Sequence, residues 1–180
     1  MKSRLKKLLK RDDTFKTYKS IVKRLGVIAD FDNLSKELER MHKNRKSRDL
    51  HLKSPTVDRI LAAAAQGSSF RSRSVEIMIT VQKAQRTLQA AIERCEVHIL
   101  ANYSKYMEVR SIQDRKTVAK DILKAGYYLL SDFDRLVDMS STLVNDIDQS
   151  SWTLKHMLDG LQLLYTRENI VQTSKTSKNL

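Results

Sequence analysis

The sequence predicts an all-α fold: two long amphipathic helices forming a hairpin or bundle, preceded by shorter basic helices. Three observations carry this. Four Gly and one Pro in 180 residues cannot supply the turn every roughly 8–12 positions that a β-rich chain needs. Apolar residues recur at spacings of three and four from Ile77 to Tyr106 and again from Ile122 to Leu164, the period of a half-buried helix. Charge is uneven as well. Residues 1–53 hold 17 Lys and Arg against 7 Asp and Glu, whereas residues 54–180 hold 17 against 14.

The first 53 residues read as a basic helical arm. Phe15, Tyr18, Ile21, Val22 and Leu25 make one stripe, and Gly26 is placed to end that helix. Asp30 or Asp32 can cap a second helix on Phe31, Leu34, Leu38 and Met41. It runs into HKNRKSR, residues 42–48, which has no apolar member. Residues 54–68 form a short helix and loop: Ser54 and Pro55 suit an N-cap and first turn, and Gly67 is the expected stop. QGSSFRSRS, residues 66–74, reads as the clearest internal loop.

Residues 69–166 then form the long helical hairpin and assembly core. Ile77, Val81, Ala84, Leu88, Ile92, Cys95, Ile99, Tyr103 and Tyr106 mark its first helix. Ser111 and Asp114 have the form of a capping box, so the chain turns there. The second helix is expected from about Asp114 to Tyr165, and residues 167–180 as a flexible polar tail. Its main row is Ile122, Gly126, Leu129, Phe133, Leu136, Ser140, Leu143, Ile147, Ser150, Leu154, Met157, Leu161 and Leu164. A second row, Leu123, Leu130, Val137, Val144, Ser151, Leu158 and Tyr165, lies beside it. Three apolar positions per heptad exceed what a two-stranded seam uses. Self-association into a homo-oligomer is therefore expected. Leu129, Phe133, Leu136, Leu143, Ile147, Trp152, Leu154, Met157 and Leu161 are the candidate interface.

Acidic residues crowd this same helix. Asp134, Asp138, Asp146, Asp148 and Asp159 fall outside the apolar rows, which reads as a solvated face or as ion pairs with basic residues, of this chain or of a neighbouring subunit. None of His42, His51, His98 and His156 is spaced with another His or Cys as zinc ligands are. Cys95 stands alone on an apolar stripe, which suits packing in a reducing, cytoplasmic setting. No phosphate loop or nucleophile motif occurs. The expectation is a non-enzymatic protein without metal or cofactor. No apolar run is long enough for a membrane span.

A formal charge of +13 and pI near 9.9 call for a polyanionic partner. The candidate nucleic-acid contacts are Lys6, Lys7, Lys10 and Arg11; Lys43, Arg45, Lys46 and Arg48; Arg71 and Arg73; and Lys105, Arg110, Arg115 and Lys116. Phe70, Tyr103 and Tyr106 are candidates for base stacking. No groove-reading motif is present, so sequence-specific DNA recognition is not expected.

LVD at 136–138, Ile147, Trp152 and LKHMLD at 154–159 resemble the C-terminal helix of the UvsY recombination mediators of T-even phages. AKDILK at 119–124 is similar to a matching upstream segment, and Leu100, Tyr106 and Arg110 to the end of the preceding helix. The resemblance spans residues 95–165. It implies an all-α ring that binds single-stranded DNA and helps load a recombinase onto strands coated by a single-strand-binding protein. Ala101 and Tyr103 stand where that family has its basic DNA-contact motif, so those contacts do not transfer. Two other readings remain: a ring-forming phage packaging factor of the small-terminase kind, and a coiled-coil adaptor using its basic arm on an acidic partner.

Overall fold

The computed structural model describes residues 2–48, 50, 56–107, 109 and 111–176, with side chains for all of these except 2–4, 6 and 169–176. Among the described residues the chain is helical and without strands. It contains α1 (Lys2–Arg11), α2 (Asp13–Ile28), α3 (Phe31–Lys43), α4 (Val57–Tyr103), α5 (Ile112–Ile122) and α6 (Lys124–Thr176), with single 3-10 turns at Lys46–Arg48 and Ser104–Tyr106. The chain divides into two units, Met1–Lys36 with Glu76–Met139, and Glu37–Val75 with Ser140–Leu180. The first fifty residues are therefore no free arm. Their helices supply part of each core.

Several element ends differ from expectation. α2 passes through Gly26 and stops at Ala29, whose N–H still bonds to the Leu25 carbonyl. Asp30, not Asp32, caps α3, its carboxylate accepting from the Asn33 N–H. α4 begins at Val57, where the Thr56 hydroxyl accepts from the Arg59 N–H; the Ser54–Pro55 start lies outside the described residues. The expected loop at 66–74 is helix. Gly67 costs α4 about 1 kcal/mol relative to Ala, but it faces α6 closely, a Cβ there lying 3.5 Å from Ile147 Cγ2. Burial of Ile60, Ala63, Ser74 and Ile77 on both sides of it outweighs that cost. Ser111 does cap α5, its hydroxyl accepting from the Gln113 N–H rather than from position 114. The second long helix is interrupted at Leu123, and α6 then continues past Tyr165 to Thr176, through part of the expected tail; residues 177–180 lie outside the described part.

In the first unit α4 buries Ile77, Val81, Ala84, Leu88, Ile92, Cys95 and Ile99, the stripe read from the sequence. Burying each large side chain contributes roughly 1.5–3 kcal/mol. Opposite them lie Leu123, Phe133 and Leu136, with Phe15, Tyr18 and Leu25 of α2. The break at Leu123 is held by Tyr18, whose hydroxyl donates to the Leu123 carbonyl at 2.8 Å and accepts from the Gly126 N–H at 2.9 Å. Asp12 closes the other end of α2. It accepts from the Phe15 N–H, His98 Nε2 and the Tyr103 hydroxyl, each at 2.8 Å. Asn102 donates to His98 Nδ1, so the proton sits on Nε2 and points at Asp12. Burial alone would raise the Asp12 carboxyl; the His98, Phe15 and Tyr103 hydrogen bonds outweigh it and hold the pKa below its ordinary value.

In the second unit Leu50, Ile60, Ala63 and Leu154 form a buried cluster, with Ala64, Met157, Leu158 and Leu161 packed against it. Leu143 and Ile147 are buried along the same helix.

These positions correct the expected subunit interface. Phe133, Leu136, Leu143, Ile147 and Leu154 are at most 4% exposed within this single chain. Met157 and Leu161 are half-buried against the Leu50 cluster, and Leu129 is half-buried and lies 4.0 Å from a Cβ built on Gly26. The wide stripe reflects N-terminal segments of the same chain, which a two-helix hairpin does not include. Trp152 alone of the nine is fully exposed, at 70%, its ring edge against His156.

Candidate nucleic-acid interface

The predicted basic clusters fall into two groups. Some are spent on carboxylates of this chain. Arg71 makes a two-point pair with Asp148, Nε at 2.7 Å and Nη2 at 3.2 Å, and Asp148 holds the guanidinium charged. Arg73 pairs with Glu37 in the same fork geometry, and its hydrogen bonds are the main force pulling the Glu37 pKa down. Arg45 is 8% exposed and donates from Nη2 to Asp146 at 3.0 Å. Lys43 lies 3.8 Å from Glu39. Asp146 and Asp148 of α6 thus answer Arg45 and Arg71, and Glu37 and Glu39 of α3 answer Arg73 and Lys43, within one chain.

The rest are less committed. Lys7, Lys10, Arg11, Lys46 and Lys116 are exposed. Arg48 contacts His42 at 2.9 Å, Lys105 lies over the Tyr106 ring, and the Arg115 Nε donates to the Val109 carbonyl. The Lys6 side chain and Arg110 lie outside the described residues. Of the proposed stacking residues, Tyr103 is tied by its hydroxyl to Asp12, and Phe70 and Tyr106 are half-buried.

A feature of the first unit was not anticipated. α2 and α4 border a groove of about 640 Å³ lined by Asp13, Thr14, Thr17, Tyr18 and Ile21 of α2 and by Thr87, Ala90, Ala91 and Arg94 of α4. Helical periodicity sets Lys83 and Arg86 on the Arg94 face of α4, and Arg24 on the Thr17–Ile21 face of α2. All four cations are exposed. Among the described residues, none has a carboxylate within 4 Å. Tyr128 of α6, 64% exposed with Lys124 stacked over it, is a free aromatic face in the same unit. The signal was available in the sequence as Lys83, Arg86 and Arg94 at helical spacing, but it was hidden by the denser runs nearer the N-terminus.

Other chemistry has little support in the geometry. Among the described residues, no group of three His, Cys, Asp or Glu side chains is placed to hold a metal. Burial pushes the Cys95 thiol up to about 11, the opposite of an activated nucleophile. No helix among the described residues is long and apolar enough to cross a membrane. No family model, curated protein or solved structure matches this chain.

Proposed function

We propose that this protein binds single-stranded nucleic acid, DNA in preference, as a non-enzymatic, self-associating mediator that helps load a recombinase. The observation that carries the reading is the α2–α4 groove, which Arg94 lines with Thr14, Thr17, Thr87, Ala90 and Ala91 beside one carboxylate, Asp13, while Arg24, Lys83 and Arg86 are exposed on the same helix faces. Cations already paired with carboxylates must give up that partner before they neutralise a phosphate. Unpaired cations gain most by neutralising phosphates. Threonine and alanine walls let a sugar–phosphate strand approach without displacing bulk, and Tyr128 offers a stacking face. Self-association rests on Trp152, Leu163, Leu164 and Tyr165, at least 58% exposed on α6 among the described residues.

The test is anisotropy of a labelled oligothymidylate titrated at several salt concentrations, with the duplex as comparison. Wild type binds the single strand more tightly, and affinity falls with salt. Replacing Arg24, Arg86 and Arg94 together by Ala reduces the log–log salt slope by about 2, three contacts at roughly 0.7 each. Arg71→Ala leaves the slope unchanged. Absence of binding at about 0.1 M salt, where surface charges are already substantially screened, rejects the reading. Light scattering checks self-association, which Trp152→Ser with Leu164→Ser should weaken.

A further inference from the structure

We propose that the turn following α3 is a pH-sensitive clasp within the second unit, closed by a neutral His42 and opened when that ring is protonated. Its parts come from three places. His42 lies in the last turn of α3, Arg48 ends the 3-10 turn at Lys46–Arg48, and Asp146 stands on α6.

The geometry fixes the protonation state of the ring. His42 Nε2 lies 2.9 Å from Arg48 Nη2. A guanidinium has five N–H donors and no acceptor, so the ring nitrogen at that distance is the acceptor and carries no proton. The ring hydrogen is then on Nδ1, the atom that faces Asp146 Oδ2 at 3.5 Å. A second proton on Nε2 would set N–H against N–H. The His42–Arg48 hydrogen bond exists only while the imidazole is neutral.

The surroundings act in the same direction. Partial burial opposes a charged ring, and Arg48 and Arg45 add to it; Asp146 favours the charge but is already bonded to Arg45 at 3.0 Å. The balance holds the His42 pKa below its ordinary value. On the same helix Glu39 faces Lys43 at 3.8 Å, and Glu37 is paired with Arg73. On α6 the next carboxylate, Asp148, is paired with Arg71. α4 offers the turn an uncharged side chain, Gln66, whose Oε1 accepts from the Lys46 N–H.

Opening is local. The Arg45–Asp146 pair before the turn does not pass through His42, and Leu50 after it is buried with Ile60, Ala63 and Leu154. Protonation therefore frees the Arg48 guanidinium and the turn that carries it, while both flanks stay anchored. The sign follows from the depressed pKa. The clasp contributes fully above the unfolded histidine value of about 6.5, and its contribution is lost as pH falls through the folded pKa.

An NMR titration of the isotope-labelled full chain from about pH 8 to about pH 5 spans this change. The probes are the His42 ring and the backbone amides of Lys46, Ser47, Arg48 and Leu50. His42 should titrate below about 6.5, and the Lys46–Arg48 amides should shift with the same midpoint. Their protection against hydrogen exchange should fall at least about fivefold in acid, after correction for intrinsic rates, while that of Leu50 holds. His42→Gln does not titrate and should leave the turn amides flat across the range. Arg48→Ala, at an exposed position, removes both the bonded donor and an opposing charge, so the His42 midpoint should rise toward about 6.5. A wild-type midpoint at or above about 6.5, an unmoved midpoint in Arg48→Ala, or turn amides that still shift in a folded His42→Gln overturns the clasp. No nucleic acid enters the measurement, so the clasp and the α2–α4 groove stand or fall separately.

Discussion

Gly126→Ala should destabilise the protein, against the usual rule for a glycine inside a helix. An exposed helical Gly→Ala change gains about 1 kcal/mol. At Gly126 the new Cβ would lie 2.5 Å from the Tyr18 hydroxyl and 3.1 Å from Ile92 Cγ1 and Tyr18 Cε2. Tyr18 is 4% exposed, and its hydroxyl is bonded to the Leu123 carbonyl and the Gly126 N–H, so it cannot yield without breaking both bonds. Losing them costs about 1 kcal/mol each, and overpacking adds about 1–3 kcal/mol. Subtracting the propensity gain leaves a net loss of about 2–4 kcal/mol. Tyr18→Phe alone should cost about 1 kcal/mol, because the Leu123 carbonyl keeps the Gly126 N–H as a donor. The two changes share one atom, the hydroxyl oxygen. The double variant should therefore lose less than the sum of the singles, by about 1–2 kcal/mol. Urea unfolding followed by far-ultraviolet circular dichroism reads all four corners of the cycle. A Gly126→Ala protein as stable as wild type, or strict additivity, refutes the contact.

Three further outcomes follow from other side chains. The folded pKa of Asp12 lies below its unfolded value, so its contribution is complete above roughly pH 4 and is lost as pH falls through the folded pKa. Asp12→Asn keeps an acceptor for the Phe15 N–H but removes the charge from the His98 and Tyr103 hydrogen bonds, so it should cost about 1–2 kcal/mol near neutrality, and the gap to wild type should close in acid-titrated melts. Cys95, 1% exposed with its thiol pushed up to about 11, should react with a thiol reagent at pH 8 only at the rate of unfolding; rapid native labelling contradicts its packing. Ser140 is fully buried and its hydroxyl finds no partner among the described residues. Ser140→Ala should raise stability by about 0.5–1 kcal/mol, measured by the same urea titration.

Periodicity made the helices legible, because burial imposes the 3-or-4 spacing directly on residues such as Val81, Leu88 and Ile99. What periodicity hides is the identity of the covering element. Phe133 and Leu143 had to be buried, but a single row cannot say whether a partner helix comes from a second copy or from Phe15 and Tyr18 more than a hundred positions upstream. Glycine was misread for a related reason. Gly26 and Gly67 have the composition of breaks, yet tertiary packing overrides a propensity cost of about 1 kcal/mol. Local charge density misled in the same way. HKNRKSR and FRSRS are prominent basic runs, but Arg45, Arg71 and Arg73 meet Asp146, Asp148 and Glu37, so their charge is answered within the chain. The capping signals at Asp30 and Ser111 needed no distant partner and were readable in place.

The discontinuity of both units bears on how the chain is made. The helices before residue 36 complete their core only with residues 76–139, and the segment 37–75 only with residues beyond 140. A ribosome delivers the N-terminal halves first, at about 5–20 residues per second. During those seconds Phe15, Tyr18, Leu25 and Leu38 have no matching surface to bury against. Completion of either core is therefore deferred until synthesis is well past the midpoint. Such high-separation pairing slows folding relative to a simple up-down bundle. It also makes removal of the α6 region a loss of both units together, rather than the trimming of an appendage.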